Sequence, residues 1–264
     1  MAQIKDFSPR VHNLDLEPNN RYAVGSREQM YGVVLRGNTH SQGEVEMQKK
    51  SAVFVVLAGP GFAVMDKIYE AAPKRLKARF GDKDIRYPGT PFKDRNPPFL
   101  WTPDEQRIVP LARLHYYWGD IAQYNATSLE GDLESDMVVG LRYGFDAACS
   151  ATADSPTAQA RKGINRQHHS NVGITLPFQN IIRPFYVLPK GTRKQLVEAL
   201  AKRYRKLDEK ILVRYVDHFI EFQGEYFDGT GQNPPLYVDL SRSCEQMYDD
   251  FVDIVGNLFE LYKK

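Results

Sequence analysis

The sequence predicts an α+β fold that is predominantly helical. Apolar residues recur at helical spacing through most of residues 99–264, and two β-branched and aromatic runs before residue 60 predict a small N-terminal β-sheet. The composition, 264 residues with 42% hydrophobic and 26% charged side chains, is typical of a globular protein and excludes a largely disordered chain. The prolines of Pro88–Pro98 indicate a boundary between residues 1–98, which hold an arm, a small sheet and a helix, and a helical domain at 99–264.

The N-terminal elements are predicted from two apolar runs and one turn. Gln29–Arg36 and Lys50–Leu57 are separated by a polar, glycine-containing segment, which is typical of a strand pair. Gly59-Pro60-Gly61 then opens a short amphipathic helix. Pro73 is expected to end this helix, because a proline inside a helix removes a backbone hydrogen bond.

The middle of the chain is predicted to be helical. Thr102-Pro103-Asp104-Glu105 combines an N-cap, a first-turn proline and a capping-box glutamate. A second helix is expected over Leu133–Ser150, and Ser155-Pro156 starts a brief third one. The inward face of the second helix would consist of Met137, Leu141, Phe145 and Ala148.

Three extended segments are predicted in the C-terminal half. Val172–Leu176 and Ile181–Leu188 adjoin or contain prolines, which lack the N–H group that a central strand uses, so both are expected at sheet edges. Leu236–Leu240 is a third short strand. The chain then ends in an acidic helix that Ser243–Gln246 caps.

A basic helix is predicted between these strands. Thr192-Arg193-Lys194-Gln195 is a capping-box pattern, and apolar residues follow it at alternating spacings of three and four. Two alternatives stay open. The helix continues to Gln223, or it ends near Leu207 and Asp208 caps a new helix.

Charge is strongly segregated along the chain, although the formal net charge is only +2. Residues 161–214 contain 13 basic and 3 acidic side chains, whereas residues 215–262 contain ten acidic side chains and the single base Arg242. A dense basic segment is typical of a surface that binds nucleic-acid phosphates. The alternative is that the basic segment packs against the acidic C-terminal part and that the two charges cancel.

The order strand, helix, helix in the basic segment is similar to a ribbon-helix-helix unit, in which two chains pair their strands in the major groove. Pro184 and the absence of a glycine between the helices depart from that pattern. The sequence therefore predicts a homodimer that binds duplex DNA, with RNA or a single strand as the alternative nucleic acid. The predicted contact residues are Arg161, Lys162, Arg166, His168, His169, Arg183, Lys190, Arg193, Lys194, Lys202, Arg203, Arg205 and Lys206.

No motif for catalysis, metal binding or cofactor binding is complete in the sequence. His168-His169 is an adjacent pair, and adjacent side chains of an extended chain point to opposite sides, so the pair lacks the spacing of a metal site. Gly59-Pro60-Gly61 could present backbone N–H groups to an anion, but the lysine and hydroxyl of a phosphate-binding loop are missing. We therefore expect no catalytic residue, no metal and no cofactor.

The segment 47–72, with the sequence MQKKSAVFVVLAGPGFAVMDKIYEAA, resembles part of the AcaB-like family, regulators carried by conjugative plasmids and integrative elements. The similarity covers about a tenth of the chain and is highest over Ile68–Ala72. Pro73-Lys74-Arg75-Leu76 stands where the family has an Asp-Asp-Pro-Tyr-Ala run. The resemblance implies a dimeric DNA-binding transcriptional regulator of transfer genes with a ribbon-helix-helix element and no catalytic residue.

Together these observations predict a non-enzymatic DNA-binding transcriptional regulator of mobile-element or conjugative-transfer genes. A structural or nucleic-acid-binding subunit of a phage or ribonucleoprotein assembly is one alternative, indicated by proline- and tyrosine-rich loops. A metal-dependent nucleic-acid-processing enzyme is the other, indicated by His168, His169 and scattered acidic residues. A cytoplasmic protein without a membrane partner is expected, because no secretory pattern and no membrane-spanning apolar run are found and cysteines number only two.

Overall fold

The structure, a computed structural model, describes residues 52–92, 110–153, 163, 184–228 and 233–262, all within one compact unit of the chain. These residues form one five-stranded sheet in which every pair of neighbouring strands is parallel. The strand order is β2-β3-β1-β4-β5. The strands are β1 (Val53–Leu57), β2 (Ile85–Gly89), β3 (Met137–Leu141), β4 (Phe185–Lys190) and β5 (Leu236–Asp239).

Helices connect the strands and follow the last one. They are α1 (Ala63–Phe80), α2 (Pro110–Tyr124), α3 (Glu130–Asp132), α4 (Gly144–Thr152), α5 (Arg193–Arg203), α6 (Glu209–Phe227) and α7 (Cys244–Tyr262). A π-helical turn, Asn125–Leu129, joins α2 to α3. None of the described helices is long and apolar enough to cross a lipid bilayer.

The helices cover both faces of the sheet. Connections between parallel strands are right-handed, so the helix that leads from β1 toward β2 and those that lead from β4 toward β5 start on opposite faces. On one face α1 packs against α7, where the rings of Phe80 and Phe259 are 5.5 Å apart. On the other face α4 packs against α2 and α6, and the ring centroids of Phe145 and Phe222 are 5.5 Å apart. Layers of helices on both faces of a parallel sheet define an α/β, Rossmann-like arrangement.

The central strands β1 and β3 are apolar and buried along their whole length. All five residues of β1 and all five of β3 are buried, and the two strands pair in register from Val53 with Met137 to Leu57 with Leu141. A strand that is covered on both faces has no solvent side, so it shows a continuous apolar run rather than alternation. This explains why VFVVL and MVVGL lie at the centre of the sheet.

The predicted α+β fold, with its small N-terminal sheet and ribbon-helix-helix unit, is wrong. The predicted helix Leu133–Ser150 contains the central strand β3, because an apolar run buried on both faces also satisfies a helical spacing. The predicted edge strand Ile181–Leu188 contains the start of β4, which pairs with β1 on one side and with β5 on the other. Since both edges of β4 are hydrogen-bonded within this chain, β4 has no free edge for the strand of a second chain.

Several local predictions are confirmed. Thr192 caps α5 through a reciprocal capping box with Gln195. Asp208 begins a new helix, α6, so the basic segment does not form one continuous helix.

Helix α1 continues through Pro73 to Phe80, and the predicted stop at Pro73 is therefore wrong.

Some predicted elements lie outside the described residues. These are the strands at Gln29–Arg36 and Val172–Leu176 and the helix start at Thr102. The predicted domain boundary near residue 98 also lies in an undescribed part, residues 93–109, and stays a prediction. The described strands from both sides of it belong to the same sheet.

Candidate functional site

The carboxyl edge of the sheet brings the ends of the central strands together. The segment Gly59–Phe62 follows β1, and Arg142 follows β3 directly. The Arg142 N–H donates to the Leu57 carbonyl at 2.8 Å, and the Ala58 N–H donates to the Val187 carbonyl at 3.0 Å. The carboxyl ends of β1, β3 and β4 therefore lie side by side. The chain leaves β1 toward β2 and leaves the adjacent β4 toward β5, in the opposite direction. In open α/β sheets, ligands bind at such a point, outside the carboxyl ends of the strands.

Two arginines meet one carboxylate at this edge. Asp66 lies in the first turn of α1. Arg142 Nη2 donates to the two Asp66 oxygens at 2.6 and 2.9 Å, and Arg203 Nη1, from the last turn of α5, donates to Asp66 Oδ2 at 2.6 Å. We call these three residues the double-arginine cluster. It has a formal excess of one positive charge, and its side chains are between 6% and 24% exposed.

Arg142 has the most unusual backbone of the described residues that are not glycine. Its φ is 57°, in the left-handed region, and it is the one described non-glycine residue with a positive φ. Such a conformation costs roughly 1–3 kcal/mol and is concentrated at functional sites. The Arg142 side chain is buried, and its Nε has no hydrogen-bond partner among the described residues. The cluster therefore holds a buried donor that the described part of the chain leaves unsatisfied.

The loop after β1 leads into the N-terminus of α1, whose first turn contains Asp66 of the cluster. Gly59 and Gly61 have φ values of 124° and 82°, and a Cβ on Gly59 would lie 2.9 Å from Pro189 Cδ, so the loop passes very close to β4. Phe62 is the N-cap of the 18-residue helix α1 and gives no side-chain cap to its N–H groups. The N-terminus of a helix favours negative charge, because its first N–H groups lack partners within the helix.

A buried carboxylate holds this loop in place. Asp146, in the first turn of α4, accepts hydrogen bonds from the Gly59 N–H at 3.0 Å and from the Tyr143 N–H at 3.1 Å. Burial raises the pKa of Asp146 to about 7, although Arg142 and the backbone N–H groups act in the opposite direction. Tyr143 is fixed in turn, because its hydroxyl donates to Asn125 Oδ1 at 2.8 Å. Asp146 thus links the loop after β1 to the segment after β3.

The structure describes about half of the predicted nucleic-acid contacts. Arg161, Lys162, Arg166, His168, His169 and Arg183 lie outside the described residues. Among the others, Lys190 lies over the Tyr237 ring at 5.7 Å, and Lys194 is 4.0 Å from Glu198. Arg193 binds Asp217 with two hydrogen bonds of 2.6 and 2.5 Å, which lower the pKa of Asp217. Arg203 belongs to the double-arginine cluster, whereas Lys202, Arg205 and Lys206 are exposed.

The acidic helix α7 has partners other than the basic segment. Arg75 of α1 forms ion pairs with Glu245 and Asp249, and Arg242 forms one with Asp250. The pair between Arg193 and Asp217 does join the basic segment to the acidic C-terminal part. Among the described residues, this pair cancels charge between the basic segment and the acidic C-terminal part at one place.

Three residues of this site were not predicted from the sequence. Asp66 lies 76 residues before Arg142 and 80 residues before Asp146 in the chain, and no motif connects them. The one sequence signal was Gly59-Pro60-Gly61 after an apolar strand, which was interpreted first as a turn. Arg203 was predicted as a contact to a nucleic acid, and the structure places its guanidinium against Asp66.

The fold and this site define a Rossmann-like α/β protein with a cationic cluster at the carboxyl edge of its sheet. No family model matches the chain, and no curated protein matches it. The resemblance of residues 47–72 to the AcaB-like family therefore stays a prediction. Within the described parts of the chain, no three His, Cys, Asp or Glu side chains are grouped so that they could hold a metal ion.

Proposed function

We propose that this protein binds a phosphate-bearing small molecule at the carboxyl edge of its sheet. The observation that carries the proposal is the double-arginine cluster at the point where the strand connections diverge. Arginine suits this role because its guanidinium is always charged and matches the geometry of phosphate oxygens.

The cluster retains donors for a ligand. Each guanidinium gives one terminal nitrogen to Asp66, whereas an arginine side chain carries five N–H donors. Asp66 holds Arg142 and Arg203 side by side, and these three side chains together keep a formal charge of +1, with the buried Asp146 also near Arg142. A phosphate group would accept hydrogen bonds from both arginines and balance that charge.

The loop after β1 supplies the second half of the proposed site. The Gly59 N–H is bound to Asp146 and the Phe62 N–H to the Gly59 carbonyl, so the backbone N–H groups next to the cluster that a ligand could use are those of Gly61 and of Ala63 and Val64 at the uncapped start of α1. The loop lacks the lysine and hydroxyl of a nucleotide-binding P-loop. Arg142 and Arg203 would replace that lysine as the source of positive charge.

The prediction of a dimeric DNA-binding regulator of transfer genes is not supported by a ribbon-helix-helix unit, since β4 is paired on both edges. Its nucleic-acid part does not need that unit, because it depends on exposed cations. The alternatives of an assembly subunit and of a metal-dependent enzyme stay predictions, and His168 and His169 lie outside the described residues.

Calorimetric titration of the protein with pyrophosphate tests this proposal. Arg203→Gln should weaken binding by roughly tenfold or more, because hydrogen bonds to charged groups contribute about 1.5–3 kcal/mol. Arg142→Gln should weaken it as well, and circular dichroism would show whether this buried variant folds. Arg193→Gln is the matched control, since Arg193 is also an α5 arginine bound to an aspartate but lies at the opposite end of the helix.

The proposal predicts that the Arg193→Gln variant binds pyrophosphate as the unchanged protein does. Equal affinities of the folded Arg203→Gln variant and the unchanged protein would refute it. Absence of pyrophosphate binding by the unchanged protein would also refute it.

A further inference from the structure

A group of exposed cations surrounds the connection between α5 and α6. Lys202 lies in the last turn of α5, Arg205 and Lys206 lie in the connection, and Lys210 lies in the first turn of α6. All four side chains are exposed. We call these four residues the basic turn.

The cations of the basic turn have no ion-pair partner among the described residues. This distinguishes them from Arg193 and Lys194 at the other end of α5, which contact Asp217 and Glu198. Of the nearest acids, Asp208 is engaged as the N-cap of α6, where its carboxylate accepts from the Lys210 backbone N–H at 2.8 Å. Residues 202–210 contain five basic and two acidic side chains, a formal excess of three positive charges.

Helix stability does not account for this arrangement. A cation in the last turn of a helix interacts favourably with the helix dipole, and this explains Lys202. Arg205 and Lys206 lie beyond the helix end, and Lys210 lies at the N-terminal end of α6, where the dipole disfavours a positive charge. Like charges so close together repel each other, and a bound polyanion removes that repulsion.

We propose that the basic turn binds the phosphodiester backbone of a nucleic acid. Exposed lysine and arginine side chains are the groups that neutralise backbone phosphates, and each neutralised phosphate releases condensed counterions. Contacts of this kind position a protein on the nucleic acid without reading its sequence. The site is separate from the double-arginine cluster, although Arg203 of that cluster lies next to Lys202 in the chain.

The test is a salt titration of binding with the full chain and two variants that lose equal charge. Lys202, Arg205, Lys206 and Lys210 become Gln in one variant. Lys74, Lys77, Arg79 and Lys83 become Gln in the control, which removes the same three lysines and one arginine from exposed positions in and after the C-terminal half of α1. The probes are a short labelled DNA duplex and one of its single strands.

The unchanged protein should bind at least one probe, with an affinity that falls steeply between about 50 and 200 mM salt. In the basic-turn variant the slope of log affinity against log salt should decrease by about 3 to 4 for a duplex, or by about 3 for a single strand, since four phosphate contacts are lost. The control variant should keep most of the slope. The probe that shows the effect identifies the duplex or the single strand as the source of the phosphates.

Three results would overturn this inference. These are no binding of either probe by the unchanged protein at low salt, equal losses in the two variants, or an unchanged slope in the basic-turn variant. Pyrophosphate titration of the basic-turn variant separates this inference from the proposed small-molecule site, because that variant keeps Arg142, Arg203 and Asp66. Retained pyrophosphate binding also shows that the variant is folded.

Discussion

Arg142 combines a strained backbone, a buried side chain and a positive charge in one residue of the proposed site. A left-handed backbone directs its side chain from the end of β3 toward Asp66 on α1, where the guanidinium is buried beside a second arginine. Breaking a buried ion pair by removing one partner is strongly destabilising, because the other charge stays buried. Arg203, with a more exposed side chain, is therefore the better position at which to separate ligand binding from folding.

Asp146 should make the stability of the folded protein depend on pH. Its pKa is about 7 in the folded protein and near the ordinary aspartate value when unfolded, so between about pH 4 and 7 the folded state binds more protons. The contribution of Asp146 to the free energy of unfolding should therefore be full below this window and fall as pH rises through it, by at most about 1.4 kcal/mol per pH unit. Urea unfolding of the protein and of Asp146→Asn at about pH 5 and about pH 8 measures this contribution.

The quantity to compare is the stability difference between the two proteins at each pH. This difference isolates Asp146 from carboxylates such as Asp217 and Asp239, whose pKa values are lowered and which act at more acidic pH. A difference that stays constant between the two pH values would contradict the role given to Asp146.

Gly59 should tolerate alanine less well than another glycine with a positive φ. Alanine at Gly59 combines an unfavourable backbone conformation with a Cβ 2.9 Å from Pro189 Cδ. Gly81 has a φ of 62°, and apart from its chain neighbours no atom of the described residues lies within 4 Å of its Cβ position. We expect Gly81→Ala to lose about 1 kcal/mol of stability and Gly59→Ala clearly more. Thermal unfolding of both variants gives the comparison, and equal losses would show that the loop does not depend on this close approach.

Among the elements, α5 has two ends with different roles. A change in its first turn should therefore alter the stability of the protein without altering ligand binding. Thr192 caps the first turn through Gln195, and Arg203 reaches the site from the last turn. Thr192→Ala should lower the free energy of unfolding by about 0.5–2 kcal/mol, the usual cost of losing an N-cap. Pyrophosphate affinity should not change, and a large loss of affinity in this variant would show that the whole helix, and not only its last turn, determines the site.

The helix starts and short strands of the C-terminal part were predictable from sequence, since caps act locally. Thr192, Asp208 and Ser243 each begin a helix where the pattern of residues indicates one. The strand β3 was not predictable in this way, because the residues of MVVGL that are buried on both faces carry no periodicity that distinguishes a strand from a helix.

At the scale of the whole molecule, the sheet creates the site from distant segments. Asp66 lies 76 residues before Arg142 and 137 residues before Arg203 in the chain. Only the parallel pairing of β1, β3 and β4 places these three residues together. The charge of the segment that holds Arg203 is evident from the sequence, but the partner of Arg203 is determined by the topology of the sheet. The strand order, and with it the site, was therefore beyond what local patterns could predict.

A crystal structure of the protein with bound pyrophosphate would show the proposed site itself. We expect a phosphate group within hydrogen-bond distance of the Arg142 and Arg203 guanidiniums, next to the backbone of Gly59–Phe62 and the first turn of α1. Electron density for pyrophosphate away from both arginines, or none at this edge of the sheet at saturating concentration, would contradict the proposal.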